Sequence, residues 1–361
     1  MVLTIEDETT PLVNGTTSTM AASNRRPRAR EDRSWLARMF NPMLSSRPWR
    51  LFEICDLGIC PSFIRSRAQA TLTAAWIHRF PLLQKASPAE LAASLIIRTL
   101  DEIPDLDNIK LSLVDFCSGA GGPIPTMEKL VNEARKSQGK PPLPFLLCDL
   151  HPHIDHWMKH SRESPNLSFI PQKVDATDPP IAVTSLSSTN SRSEDGEFAS
   201  DTKVFRLYCL SFHHFDDKMA KKVVVSTMET ADGFAIIELQ DRKLGSLCLI
   251  FGHVAYMFAS TIFYFWKDPL QLFFTYIVPV LPAVVTFDGL VSCLRVRTFR
   301  EVVNLVKGIE GAELGEIEAV EDGEGRKLDR VRKGDWRFEA GSQLHSWPCG
   351  SMNWIVGIKK T

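Results

Sequence analysis

The segment LSLVDFCSGAGGP, Leu111 to Pro123, constrains this chain more than any other. An apolar run the length of one buried strand opens directly into a glycine turn and then, past Pro123 and Pro125, into a helical pattern over about 126–137. Glycines at such a turn let backbone N–H groups approach a ligand with no Cβ in the way, and the helix N-terminus adds partial positive charge. Proteins that bind nucleotides, dinucleotides or nothing at all share this feature. The surrounding pattern has to select among them.

That pattern is an alternation. After the glycine turn come PFLLCDL, a helical stretch around Ile154 to His160, LSFIPQKV, KVFRLYCLSF, a helical stretch around Lys218 to Thr230, and GFAIIEL. Strand and helix in strict succession imply a parallel sheet with right-handed crossovers. Before it, 46–110 reads as an N-terminal helical cap, in which Ser87-Pro88 with Glu90 marks a helix start. After it, a helix near Thr298 to Lys307 precedes two candidate strands, WRFEAG and NWIVGIKK, paired as a terminal antiparallel hairpin, and the acidic stretch AVEDGEGRKLD reads as a loop. The core is therefore expected over 111–243 and 287–361. A disordered basic tail is expected over 1–45, ending in NRRPRAR, and a mobile polar loop over 183–202.

Between the two parts of the core lies an unusual stretch, 244–286. Leu244 to Trp266 contains no Asp, Glu, Lys or Arg, and a second apolar run with Pro279 and Pro282 follows Lys267-Asp268-Pro269. The first run meets the roughly 20 residues that a membrane span requires. The second fits a re-entrant or interfacial segment as well as a span. Arg242 and Lys243 before, and Arg295, Arg297 and Arg300 after, would hold both ends on the cytoplasmic side. A buried lid over a greasy pocket is the competing reading. The membrane hairpin is preferred, because a single domain seldom spends so long an uncharged run on its own core.

With 44% hydrophobic and 24% charged residues and a formal net charge of −1, nothing global recruits nucleic acid. The eight cysteines form no CxxC pair, which argues against both a zinc site and a disulfide framework and favours a reducing, cytosol-facing location. The opening MVLTIEDETT lacks the basic-then-apolar order of a secretory signal. His153, His156 and His160 share a helix face, but no cysteine or acidic ligands accompany them, so no metal is expected.

Asp115 followed by FCSGAGG resembles the acidic, glycine-rich loop of class I S-adenosylmethionine-dependent methyltransferases, with Cys117 where the first glycine usually stands. The resemblance covers about 111–242 and the terminal hairpin. It implies an α/β, Rossmann-like, mostly parallel seven-stranded sheet with helices on both faces, carrying the N-terminal helical extension and the apolar helical hairpin as additions. It further implies S-adenosylmethionine as cofactor. Asp115 would lie near its methionine end, Gly119, Gly121 and Gly122 under its ribose and methionine portion, and Asp149 at its ribose hydroxyls. Asp175, at the end of the third strand, and the backbone of Ala176 would meet its adenine edge. YCLSFHHFDD resembles the His-His-Phe run after strand four in small-molecule methyltransferases, so His213 and His214 are expected to line the acceptor site. The implied function is a membrane-associated methyltransferase acting on a small or lipid-like acceptor. Its alternatives are a catalytically silent methyltransferase-like membrane module and a NAD(P)-dependent oxidoreductase, and a wholly cytoplasmic location is the alternative to the membrane.

Overall fold

The apolar run before the glycine turn forms β1 (Lys110–Phe116), whose last six residues are all buried, as they must be in a strand covered on both faces. The structure, a computed structural model, describes residues 39–80, 82–180, 183, 202–309 and 311–360. Most of the expected basic tail and nearly all of the polar loop at 183–202 lie outside the described residues.

Four further strands run parallel to β1: β2 (Phe145–Cys148), β3 (Leu167–Phe169), β4 (Thr202–Cys209) and β5 (Gly233–Glu238). Alternate residues serve opposite faces. Leu113, Phe145, Leu147, Phe205, Leu207, Ala235 and Ile237 pack on one side, against the N-terminal helix α2 (Pro88–Asp101) and the post-glycine helix α3 (Ile124–Ser137). Val114, Phe116, Val204, Tyr208, Phe234 and Ile236 pack on the other, against α5 (Asp217–Thr230) and α9 (Phe299–Lys307). The remaining N-terminal helix is α1 (Ser62–Ile77), and α4 (Ile154–Glu163) lies between β2 and β3.

The full strand order is β3-β2-β1-β4-β5-β9-β8-β7-β6. The sheet therefore has nine strands, not seven, and is evenly mixed. β9 (Gly350–Lys359) pairs antiparallel with β5, and β8 (Trp336–Ser346), β7 (Lys327–Lys333) and β6 (Glu318–Glu321) continue as a meander. The expected terminal hairpin is β8–β9. The supposed acidic loop is instead the β6–β7 hairpin, whose turn is built by Asp322 accepting from the N–H groups of Glu324 and Arg326. β7 lies between β8 and the edge strand β6 and supplies just Leu328 to one core cluster and Val331 to the other, so neither face shows an apolar alternation.

The apolar insertion is α6 (Leu244–Tyr264), a short helix α7 (Pro269–Leu272) running into a π turn (Phe273–Ile277), and α8 (Val280–Arg295), which meets the preceding segment at 78°. The break falls at Val278-Pro279, where proline cannot donate to the helix ladder. α6 is long and apolar enough to cross a membrane, and only 17% of its most apolar window is buried. α8 runs past residue 286 to Arg295, and Asp288, Val291, Ser292 and Cys293 on its second half are buried. The boundary placed at 286 thus falls inside one helix that belongs to both the hairpin and the core.

Candidate functional site

β1 adjoins β2 on one side and β4 on the other, so the chain reverses its direction of travel across the sheet between β1 and β4. In open α/β sheets the crevice at such a switch point, at the carboxyl ends of the strands, is where ligands bind. The glycine turn sits there.

Its conformation explains its composition. Gly119, Gly121 and Gly122 have φ of +51°, +110° and +48°, and a Cβ on Gly121 would lie 3.2 Å from His160 Cδ2. Cys117, in the position where the resembled loop has glycine, also adopts a left-handed φ of +61°. Asp149 holds the turn in place: its Oδ2 accepts from the Gly119 N–H at 2.8 Å and its Oδ1 from that of His151 at 2.7 Å. Trp157, fully buried on α4, donates its indole N–H to the Gly119 carbonyl. From above, α1 lays the Gln69 amide over Gly119, and Gln69 Oε1 is buried without a hydrogen-bond partner among the described residues.

Asp115 ends β1 beside this turn at 2% exposure, and its Oδ1 likewise has no partner among the described residues. Burial, reinforced by the charge of Asp149, pushes its carboxyl well above the usual carboxylate range. Asp175 does not end the third strand. β3 stops at Phe169, and Asp175 stands exposed in the following loop, where its Oδ1 accepts from the N–H and hydroxyl of Thr177. A short edge strand followed by Pro171 cannot carry the ladder that far. The loop still returns to the crevice, because the Val174 N–H donates to the Asp149 carbonyl, and Ala176 beyond it is buried.

A second cluster lies at the ends of β4 and β5. His213 and His214 occupy a 3-10 turn, Phe212–His214, directly after β4. His213 is 2% exposed, with Nδ1 2.9 Å from Glu238 Oε2 at the end of β5. His214, half-exposed, has Nδ1 3.1 Å from Asp56 Oδ2. Burial opposes charge on His214, but the hydrogen bond to Asp56 and the charge of Glu53 outweigh it, and its pKa is raised. Arg295, at the end of α8, closes the cluster: its guanidinium donates to the carbonyls of His213 and His214, to Glu53 at 3.0 Å and to Asp56 at 3.2 Å. Asp288 and Arg295 share α8 but serve different partners, since Asp288 accepts from the N–H groups of Ile54 and Cys55.

The glycines, Asp115, Asp149 and the paired histidines therefore meet at one edge of the sheet. Glu53, Asp56, Gln69 and Arg295 join them without a motif to announce them. A cavity of about 250 Å³ lined by Arg98, Glu102, Arg326 and Trp354 lies apart from them, between the end of α2 and the β7–β9 part of the sheet.

No protein-family model and no curated protein matches this chain. Among solved structures, it is similar to an O-methyltransferase family protein from Burkholderia thailandensis (11% identity, covering 75% of this chain and 57% of that one, TM-score 0.31). It is also similar to the trans-methyltransferase CalH in complex with SAH (13% identity, 85% and 62% covered, TM-score 0.37). A third similar structure is a candidate Zn-dependent alcohol dehydrogenase from Rhodobacter sphaeroides (10% identity, 82% and 98% covered, TM-score 0.36). The chain spans less than two thirds of the length of the first two. The Rossmann-like arrangement is read from this chain's own strand order.

Proposed function

We propose that this chain is an S-adenosylmethionine-dependent methyltransferase, held at a membrane by the hairpin that begins at α6 and acting from the cytosolic side on a small or lipophilic acceptor. The observation that carries the reading is the pairing of the Asp115–Gly122 turn and Asp149 at the switch point with an antiparallel β9 beside β5. A dinucleotide-binding oxidoreductase shares the turn and the acid but gives no account of that closing strand or of the paired histidines.

The residues present fit the cofactor. Asp115 offers a buried carboxyl oxygen that lacks a partner among the described residues, Gly119, Gly121 and Gly122 present no Cβ to a ligand, and each Asp149 oxygen keeps a lone pair for a ribose hydroxyl. Bound S-adenosylmethionine supplies an activated methyl group. The chain's own part is to orient the acceptor in line and exclude water. Glu238 fixes the His213 ring and Asp56 the His214 ring at the edge where the acceptor would sit. α8 runs from the apolar hairpin into this cluster, so an acceptor drawn from a lipid phase has a short route to it.

One observation favours a catalytically silent module instead: both Asp149 oxygens already accept backbone N–H groups. Calorimetry of full-length protein separates the readings. Binding of S-adenosylhomocysteine but not NAD, lost in Gly121→Ala, is the expected result. NAD binding alone would sink the proposal, and no binding at millimolar ligand would favour the silent module.

A further inference from the structure

The two imidazoles are held alike. Each uses Nδ1 toward a carboxylate, Glu238 for His213 and Asp56 for His214. In the neutral ring that partner fixes the proton on Nδ1 and leaves Nε2 with a free lone pair. Both Nε2 atoms then face one carboxylate, with His213 Nε2 3.5 Å from Glu53 Oε1 and His214 Nε2 3.9 Å from Glu53 Oε2. A lone pair set against a carboxylate repels it unless a proton or a metal cation lies between them.

With both rings neutral, the surrounding side chains carry net negative charge. Glu53, Asp56 and Glu238 bring three negative charges, and Arg295, 3.0 Å from Glu53 and 3.2 Å from Asp56, brings one positive charge. Glu53, Glu238 and His213 are all buried, and unbalanced charge at such a place is costly. We propose that Glu53, His213 and His214 bind a divalent transition-metal cation through one carboxylate and two imidazole Nε2 atoms.

The geometry suits that occupant. The three ligand atoms lie within 4.8 Å of one another. Donors at about 2.0–2.2 Å from a tetrahedral zinc-class ion stand roughly 3.4 Å apart, which the His213 pair already meets and the His214 pair approaches by a small rotation. Carboxylates on the far nitrogens of ligating histidines orient the rings and raise their basicity, and Glu238 and Asp56 stand in those positions. Two imidazoles and a carboxylate select zinc, cobalt, iron or manganese over the oxygen-loving magnesium and calcium. His214, 34% exposed, is the ligand nearest solvent, from which a water or substrate would reach the ion. The site stands whether or not the chain is a methyltransferase.

Cobalt titration tests it on full-length protein stripped with a chelator and dialysed. Visible d–d absorption saturating at one equivalent of Co²⁺, displaced by Zn²⁺ and free of a thiolate charge-transfer band, is expected. His214→Gln should weaken Co²⁺ binding by about a hundredfold or more, and Asp56→Asn, which leaves all three ligands, by about tenfold. Circular dichroism checks that both variants are folded. If His214→Gln does not fold, Asp56→Asn alone decides. A wild-type protein without the signal, a thiolate band from the free cysteines, or binding unmoved by the variants overturns the proposal. The signal involves no cofactor, so failure to bind S-adenosylhomocysteine would leave it untouched.

Discussion

Asp115 is the residue at which stability and binding oppose each other. Its carboxyl is buried, one oxygen has no partner, and its pKa is raised well above 3.8. A raised acid favours the fold while protonated: its contribution is fully present below the unfolded value and is lost as pH rises toward the folded one. Asp115→Asn removes that loss. The variant should melt at about the same temperature as wild type near pH 4 and progressively higher toward pH 7, by an amount on the order of 1 kcal/mol. It should also bind S-adenosylhomocysteine at least about tenfold more weakly, as expected where a strained group is retained for function. Calorimetric scans across pH with a parallel binding titration check both halves, and an unchanged affinity would remove Asp115 from the cofactor site.

At the scale of elements, legibility followed how locally each one is specified. The helix starts at Ser87 and Thr298 form complete capping boxes with Glu90 and Glu301. The first of these was readable because the signal lies within four residues. β6 and β7 were not, since charged residues fill most of their positions and leave no apolar alternation to read. The hairpin's apolar length was plain, but not that α8 also serves the core. A deletion over 244–286 would therefore damage the fold as well as the proposed membrane contact. Substitutions at the tip isolate the contact: Phe263 and Ile277 are 75% and 70% exposed, and large exposed apolar patches mark interaction sites. Phe263→Glu with Ile277→Glu should move the protein from the membrane pellet to the supernatant with its melting temperature within a few degrees of wild type, because exposed sites contribute about 0.5 kcal/mol or less to the fold. A double variant still in the pellet after a high-salt wash would place the contact elsewhere, and a wild-type protein already in the supernatant would remove it.

In the whole molecule, the second half of the site is a long-range construction. Nothing near YCLSFHHFDD names Glu53 or Asp56, which are 242 and 239 residues from Arg295 along the chain. They meet only because the N-terminal segment crosses the end of the sheet and α8 returns to it, so spacing carried no signal. Arg295 joins all three parts, reaching the turn after β4 through two carbonyls and the N-terminal segment through two carboxylates. Its side chain is 9% exposed and that of Glu53 7%. Arg295→Met should leave Glu53 buried without its counter-charge and cost about 3–5 kcal/mol. Arg295→Lys, which keeps the charge but not the planar fork, should cost less. Glu53→Gln with Arg295→Met removes both charges and should recover part of the loss, giving a coupling of about 2 kcal/mol or more in a double-mutant cycle. Urea unfolding of the wild type, Glu53→Gln, Arg295→Met and the double variant in chelator at pH 7 measures that coupling without any bound cation. A coupling near zero would mean that the Arg295–Glu53 pair adds nothing to the hold that the Asp288 hydrogen bonds to Ile54 and Cys55 and the apolar packing provide.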